Sequence, residues 1–339
     1  MFCIWQGGCR GVREMRTRKV PVQIASTLIS LAAVAYILLT LDMSSIRGVL
    51  ARLDLFWLTP AYLAYYLNIL LRAVRFRTLF YSRKVPLRDL IPLSAMHNMF
   101  VYVMPAQSGD LSFVMLSRGR LGISIAEGTA TLVSSRFYDI VMVGLIMAGI
   151  LPFTGGGLPA WILKSSILFS SLVLGGSLLL VLYVRSGRTL ALAWKPRLPL
   201  LGHATEAWNR FVEGLHRIRS GGGSWSVARL TLGIWFCLYA DYYFIARSLG
   251  ITISFMQIST IALVMIPLAL LPLQGFANVG THELAWVGVL RAFGYSYTDA
   301  LSIALGSHFL LLVIILTYGG LALLQAAAAQ GRDKLDDLE

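Results

Sequence analysis

Charge is what this chain has least of. Only 13% of its residues are Asp, Glu, Lys or Arg, whereas 57% are hydrophobic and the mean hydropathy is +0.72. So few charges cannot cover the apolar surface of a soluble chain of 339 residues, which excludes a soluble globular or disordered protein. Cysteine is scarce too. Cys3, Cys9 and Cys237 make no disulfide framework and lack the ligand company of a zinc site. The five histidines and scattered acids form no recognisable hydrolytic triad, and there is no Walker loop, ABC signature or metal-ligand cluster. The expectation is a chain without metal, cofactor or ATP-driven pumping, and not an enzyme.

What the sequence has instead is length of apolar run. Segments 22–41, 55–71, 134–151, 161–184, 229–249 and 300–326 each suit a helix crossing ~30 Å of hydrocarbon. The net charge of +13 belongs to the loops between them, not to a nucleic-acid surface. Of 29 Lys and Arg residues, 23 fall in 10–19, 72–88, 118–120, 185–229 and the tail, each beside an apolar run. That asymmetry predicts a multi-pass protein of the cytoplasmic (inner) membrane with both termini in the cytoplasm. Within the basic loop 185–229, Trp208, Phe211, Val212, Leu215 and Ile218 share one helical face, which predicts a helix lying in the interface. The organisation is a basic segment 1–20, one transmembrane domain 21–326 in halves 21–152 and 160–326, and a charged tail 327–339.

Two further apolar runs, 90–104 and 256–271, are short and break at Pro105 and Pro272. A full crossing by the first would strand Arg118 and Arg120 outside, so both runs are predicted to be re-entrant. The fold class is therefore all-α polytopic, with six full transmembrane helices and two re-entrant helical hairpins. An offset of 172 residues aligns the halves: Arg75 falls on Arg247, Gly122-x-Ser124 on Gly294-x-Ser296, Glu127 on Asp299, and Ser135-Arg136-Phe137 on Ser307-His308-Phe309. The order span, span, re-entrant, span occurs twice with opposite entry sides, which predicts an inverted repeat and a transport site at the midplane.

The residues around the breaks also resemble a known family. Asn98, Met104-Pro105, Gly109-Asp110, Arg118-x-x-x-Gly122-x-Ser124 and Ser135-Arg136-x-x-Asp139 look like the first motif of the lysylphosphatidylglycerol synthase transmembrane region. Pro272, Gly280-x-x-Glu283 and Gly294 look like its second. The family includes the flippase domain of the bacterial multiple peptide resistance factor and many stand-alone homologues. It usually carries arginine where Gln107 stands and a basic residue where Ser112 and Phe113 stand, and Asp110 replaces its commoner Glu. The resemblance implies lipid translocation, with an acidic site kept and a basic clamp altered. The synthases of the family carry a soluble catalytic domain after the membrane part, whereas only 325–339 follow here.

Ionisable residues at mid-bilayer cost about 3 kcal/mol each and are functional candidates by default. Asp110 is expected to pair with Arg136 or to meet a cationic headgroup. Arg136 and Asp139 lie three apart on one helical face and partner each other, unless Arg136 holds a lipid phosphate. Glu283 either caps a helix or faces the substrate, and His308, in Arg136's place, titrates, binds headgroup or packs. Asn98, Gln107, Gln274 and Asn278 complete the substrate-facing set, with Pro105, Gly109, Pro272 and Gly280 as hinges. His282 is expected to be exposed, Asp241 to be satisfied by Tyr239, Tyr242 and Tyr243, and Arg72, Arg75 and Arg77 to snorkel to phosphates. The leading function is a lipid flippase for a phospholipid or a polyprenyl or glycolipid carrier. The alternatives are a membrane-embedded headgroup transferase and a non-transporting lipid-binding partner of a separate synthase, either of them compatible with a homo-oligomer.

Overall fold

The computed structural model describes residues 53–105, 108–150, 160–185, 223–270 and 275–336, with 152 and 212–213. The predicted first span, 22–41, and the interfacial stripe 208–218 lie outside the described residues, apart from Val212 and Glu213.

The described chain is helical, and its elements come in two similar successions. The first holds α1 (Leu55–Leu79), α2 (Leu87–Val103), α3 (Asp110–Leu121) and α4 (Ile125–Ile150). After α5 (Ala160–Arg185), the second holds α6 (Ser224–Ser248), α7 (Phe255–Leu270), α8 (Thr281–Ala292) and α9 (Tyr297–Asp336). α4 and α9 begin 172 residues apart, the offset read from the sequence.

Three helices are long and apolar enough to cross a membrane by length and composition: Ile125–Ile150, Ile162–Arg185 and Tyr297–Ala328. α1 and α6, 25 residues each, reach ~37 Å but carry Arg72, Arg75 and Asp241. The 17 residues of α2 and 16 of α7 reach only about 24–26 Å. α5 turns Leu168, Leu172, Leu178 and Leu179 outward, as a helix in hydrocarbon does. The protein is membrane-embedded and multi-pass.

Local chemistry sets the joints. α1 starts at Asp54, whose carboxylate accepts the Phe56 N–H at 2.9 Å. α2 stops at Met104 because Pro105 cannot continue it. Ser108 then closes a tight turn by donating to the Pro105 carbonyl at 2.7 Å. A side chain at Gly109 would run into the backbone of Phe100 and Val101, so glycine is required there for close approach. The repeated Gly-x-Ser is a helix-to-helix joint. Gly122 (φ 63°) and Gly294 (φ 89°) end α3 and α8 in the left-handed region, and Ser124 and Ser296 accept the N–H of Glu127 and Asp299 at 3.2 and 3.1 Å.

The two successions interlock. α1 packs along α6 at the centre, and α2 of the first succession packs on α9 of the second. Trp286, Ile258, Met96, Ile69 and Ile314 fill the shared core. At the α2–α9 contact, a side chain on Gly319 would come within 2.5 Å of Met99 Cβ. Gly319→Leu should therefore lower stability by about 1–3 kcal/mol through overpacking, whereas leucine at Gly320, which faces open space, should cost far less. Unfolding midpoints of the two variants in detergent check the contrast.

Candidate functional site

α3 begins where α2 and the 105–108 turn deliver it, and its first residue is Asp110. Arg136, on α4, grips Asp110 with two guanidinium donors: Nε at 3.1 Å from Oδ2, and Nη2 on Oδ1. The fork geometry matches a carboxylate, as it would match a phosphate. His97 of α2 stands behind the pair, Nε2 3.9 Å from Asp110 Oδ1, with its other ring nitrogen 3.3 Å from Ser112 Oγ. Ser112 therefore belongs to this cluster, while Phe113 is fully buried in core against Phe76 and Phe80.

Asp139 has a stronger partner than the one its helical spacing suggested. Arg136 Nη1 lies 3.9 Å away, but Arg75 holds Asp139 by two bonds of 2.6 and 3.2 Å and adds one of 3.1 Å to Thr231. Arg75 is completely buried, so the expectation that it snorkels to the interface is corrected. Its place on α1, against α6, encloses it on every side. Arg72, one turn earlier, donates to Asn68 at 2.9 Å, and Asn68 donates to the Ile234 carbonyl of α6. No carboxylate lies within ion-pair distance of Arg72 among the described residues.

The second succession builds a counterpart. Glu283 sits in the first turn of α8, where one oxygen accepts the Gly280 N–H at 2.7 Å. Its other oxygen meets His308 Nδ1 of α9 at 2.5 Å. Capping and pairing are thus done by one carboxylate. His308 Nε2 reaches the Ala277 carbonyl at 2.7 Å. His282, expected at the surface, is fully buried: it stacks on His308 with ring centroids 4.4 Å apart and lies 3.4 Å from the Tyr102 hydroxyl. Asp241 is corrected as well. Neither of its oxygens has a hydrogen-bond partner among the described residues, and the Tyr239 hydroxyl is equally unpaired.

Between the two clusters lies a cavity of ~210 Å³. Asn98 and Tyr102 of α2, Arg72 of α1, Arg136 of α4 and Asn278 face it, with Leu311 and Ile315 of α9 giving it an apolar side. It therefore joins both predicted half-sites, and Asn98, Asn278 and Arg136 from the sequence analysis share it. Asp110, Asp139, Glu283 and His308 stand behind its wall as partners of lining or neighbouring groups. Gln107, Pro272 and Gln274 lie outside the described residues. Sequence reasoning missed Asn68, Arg72, Tyr102 and His97 as site residues, and the signal available was the run of polar residues inside α1 and α2.

Arg72 and Arg136 line the cavity, no Asp or Glu lines it, and Arg72 has no ion-pair partner among the described residues. An anion entering the cavity would therefore meet a guanidinium without a counter-charge. Among the described residues no group of three or more His, Cys, Asp or Glu is placed to hold a metal.

The family model described as lysylphosphatidylglycerol synthase TM region matches residues 23–319. No curated protein matches the chain.

Proposed function

The chain belongs to the lysylphosphatidylglycerol synthase TM-region family, and from that premise we propose that it is a lipid translocator without enzymatic activity of its own. It moves a polar-headgroup phospholipid or lipid-linked carrier between leaflets of the inner membrane. The observation that carries this reading is the polar, net-cationic cavity walled by both helix successions inside an otherwise apolar bundle. A headgroup enters that cavity while its tails stay in lipid. The pairs α2–α3 and α7–α8 act as re-entrant hairpins that enter from opposite sides, with six full crossings around them and both termini cytoplasmic. The alternating exposure of the two hairpins carries the headgroup across.

A reconstituted-vesicle assay tests this. Labelled anionic, aminoacylated and polyprenyl lipids are offered on one leaflet, and arrival on the other is timed. Wild-type protein should accelerate movement of at least one of them. Asp110→Ala or Glu283→Ala should slow it about tenfold or more, since the first frees the half-buried Arg136 fork and the second leaves the buried His308 ring without its carboxylate. Undiminished rates in both variants refute the role given to the site. A chemically altered lipid, in place of a relocated one, replaces translocation with headgroup transfer.

A further inference from the structure

The chain Ala277 carbonyl, His308 ring, Glu283 carboxylate has a property its first-half counterpart lacks. Its two bonds are 2.7 and 2.5 Å, and both outer members are acceptors. The ring must donate from Nε2, because a carbonyl has no proton to give. The proton between Nδ1 and Glu283 then sits on one atom or the other, and in either case the pair holds one proton beyond a neutral ring and a free carboxylate. Loss of that proton leaves a lone pair facing an acceptor, whichever tautomer forms. A ring protonated only at Nε2 opposes Glu283, and a ring protonated only at Nδ1 opposes the Ala277 carbonyl. The bond to the charged carboxylate is the stronger, so the carbonyl is the contact that gives way.

That carbonyl belongs to a strained segment. Ala277 and Asn278 have φ of 52° and 59°, and Gly280 follows at 88°. Non-glycine residues in this region are disfavoured by the close approach of Cβ to the backbone and stay there only when held. Asn278 is also part of the cavity wall. In the first half the matching base is Arg136, which never releases its proton. The titratable groups against His308 are Glu283 and His282 from α8 and Tyr102 from α2, and no Lys or Arg pairs with it among the described residues.

We propose that Glu283 and His308 form a binding site for a single proton, whose occupancy holds the 275–280 segment and so sets the shape of the cavity wall. The link to lipid movement rests on the translocator reading, with the proton as the coupling ion. The site itself does not.

The test uses the full chain in vesicles of phosphatidylcholine and phosphatidylglycerol, its native cysteines replaced by alanine and Asn278→Cys added as a reporter. Maleimide modification is timed between pH 5.5 and 8.5 and divided by the rate in the same chain carrying His308→Arg. The ratio should rise on the order of tenfold with pH, the effect of losing one charge-assisted bond. A flat ratio overturns the proposal. Should His308→Arg not fold, nitrogen NMR of the histidine-labelled chain with His203→Gln and His216→Gln decides. A change of protonation or tautomer within this range in the ring assigned to His308, identified by its loss in His308→Gln, supports the site, and a His308 ring unchanged throughout refutes it. No arm reads lipid movement, so this proposal and the translocator reading fail separately.

Discussion

Arg75→Ala should lower the unfolding free energy by about 3–5 kcal/mol, the cost of leaving a buried carboxylate without its counter-charge. Arg75 is fully buried, and Asp139 is only 8% exposed at its side chain, so water cannot replace the lost partner. The Thr231 hydroxyl loses a donor in the same step, which loosens α1 from α6 at their central contact. The double variant Arg75→Gln, Asp139→Asn removes both charges and keeps polar partners of similar size. It should recover most of the loss, because a buried pair gains little over a neutral replacement once desolvation is counted. Midpoints of denaturant unfolding in mixed micelles check both values. Equal loss in the single and double variants would show that packing, not charge, holds this place.

The second large effect concerns binding. Arg72 and Arg136 are the two guanidiniums that line the cavity, and Arg72 has no carboxylate of its own. Arg72→Gln with Arg136→Gln should weaken retention of an anionic lipid by about 100-fold or more, taking about 1.5–3 kcal/mol for each charge-assisted bond. Retention of phosphatidylcholine should fall much less, because its headgroup offers no net charge to the surplus cation. Native mass spectrometry of the purified chain, with phosphatidylglycerol and phosphatidylcholine in competition, reads the ratio. Arg136→Lys alone should give an intermediate result, since an ammonium keeps the charge but loses the planar fork that also orders Asp110. If both lipids leave equally from the double variant, the cavity does not select by charge.

Much of this architecture was legible one residue at a time. The break at Pro105 and the helix-capping option for Glu283 follow from rules that need no neighbours in space. Gly-x-Ser at 122–124 and 294–296, by contrast, stands in the sequence only as a repeat match, and the structure makes it a helix joint. The pairing of Asp110 with Arg136 was among the expectations, because a buried charge needs an opposite one and few were on offer. Asp139 shows where such reasoning fails. Spacing along α4 points to Arg136, but the partner that closes to 2.6 Å is on α1, 64 residues earlier. The offset of 172 is no guide there either. Arg247, which falls on Arg75, lies with its guanidinium carbon 5.1 Å from the Trp57 ring centroid, and the residue matching Asp139 is Leu311.

Composition and hydropathy alone determined that this is a multi-pass membrane protein, because the length of an apolar run and the cost of burying charge are properties of the chain itself. Helix starts and stops were local for the same reason, and the twofold order of elements could be read from them. The tertiary structure decided which charges meet, since that depends on α1 lying against α6 and α2 against α9. It also decided that Arg75 and His282 are enclosed while Asp241 is left unpaired, outcomes of packing that no spacing in the sequence encodes.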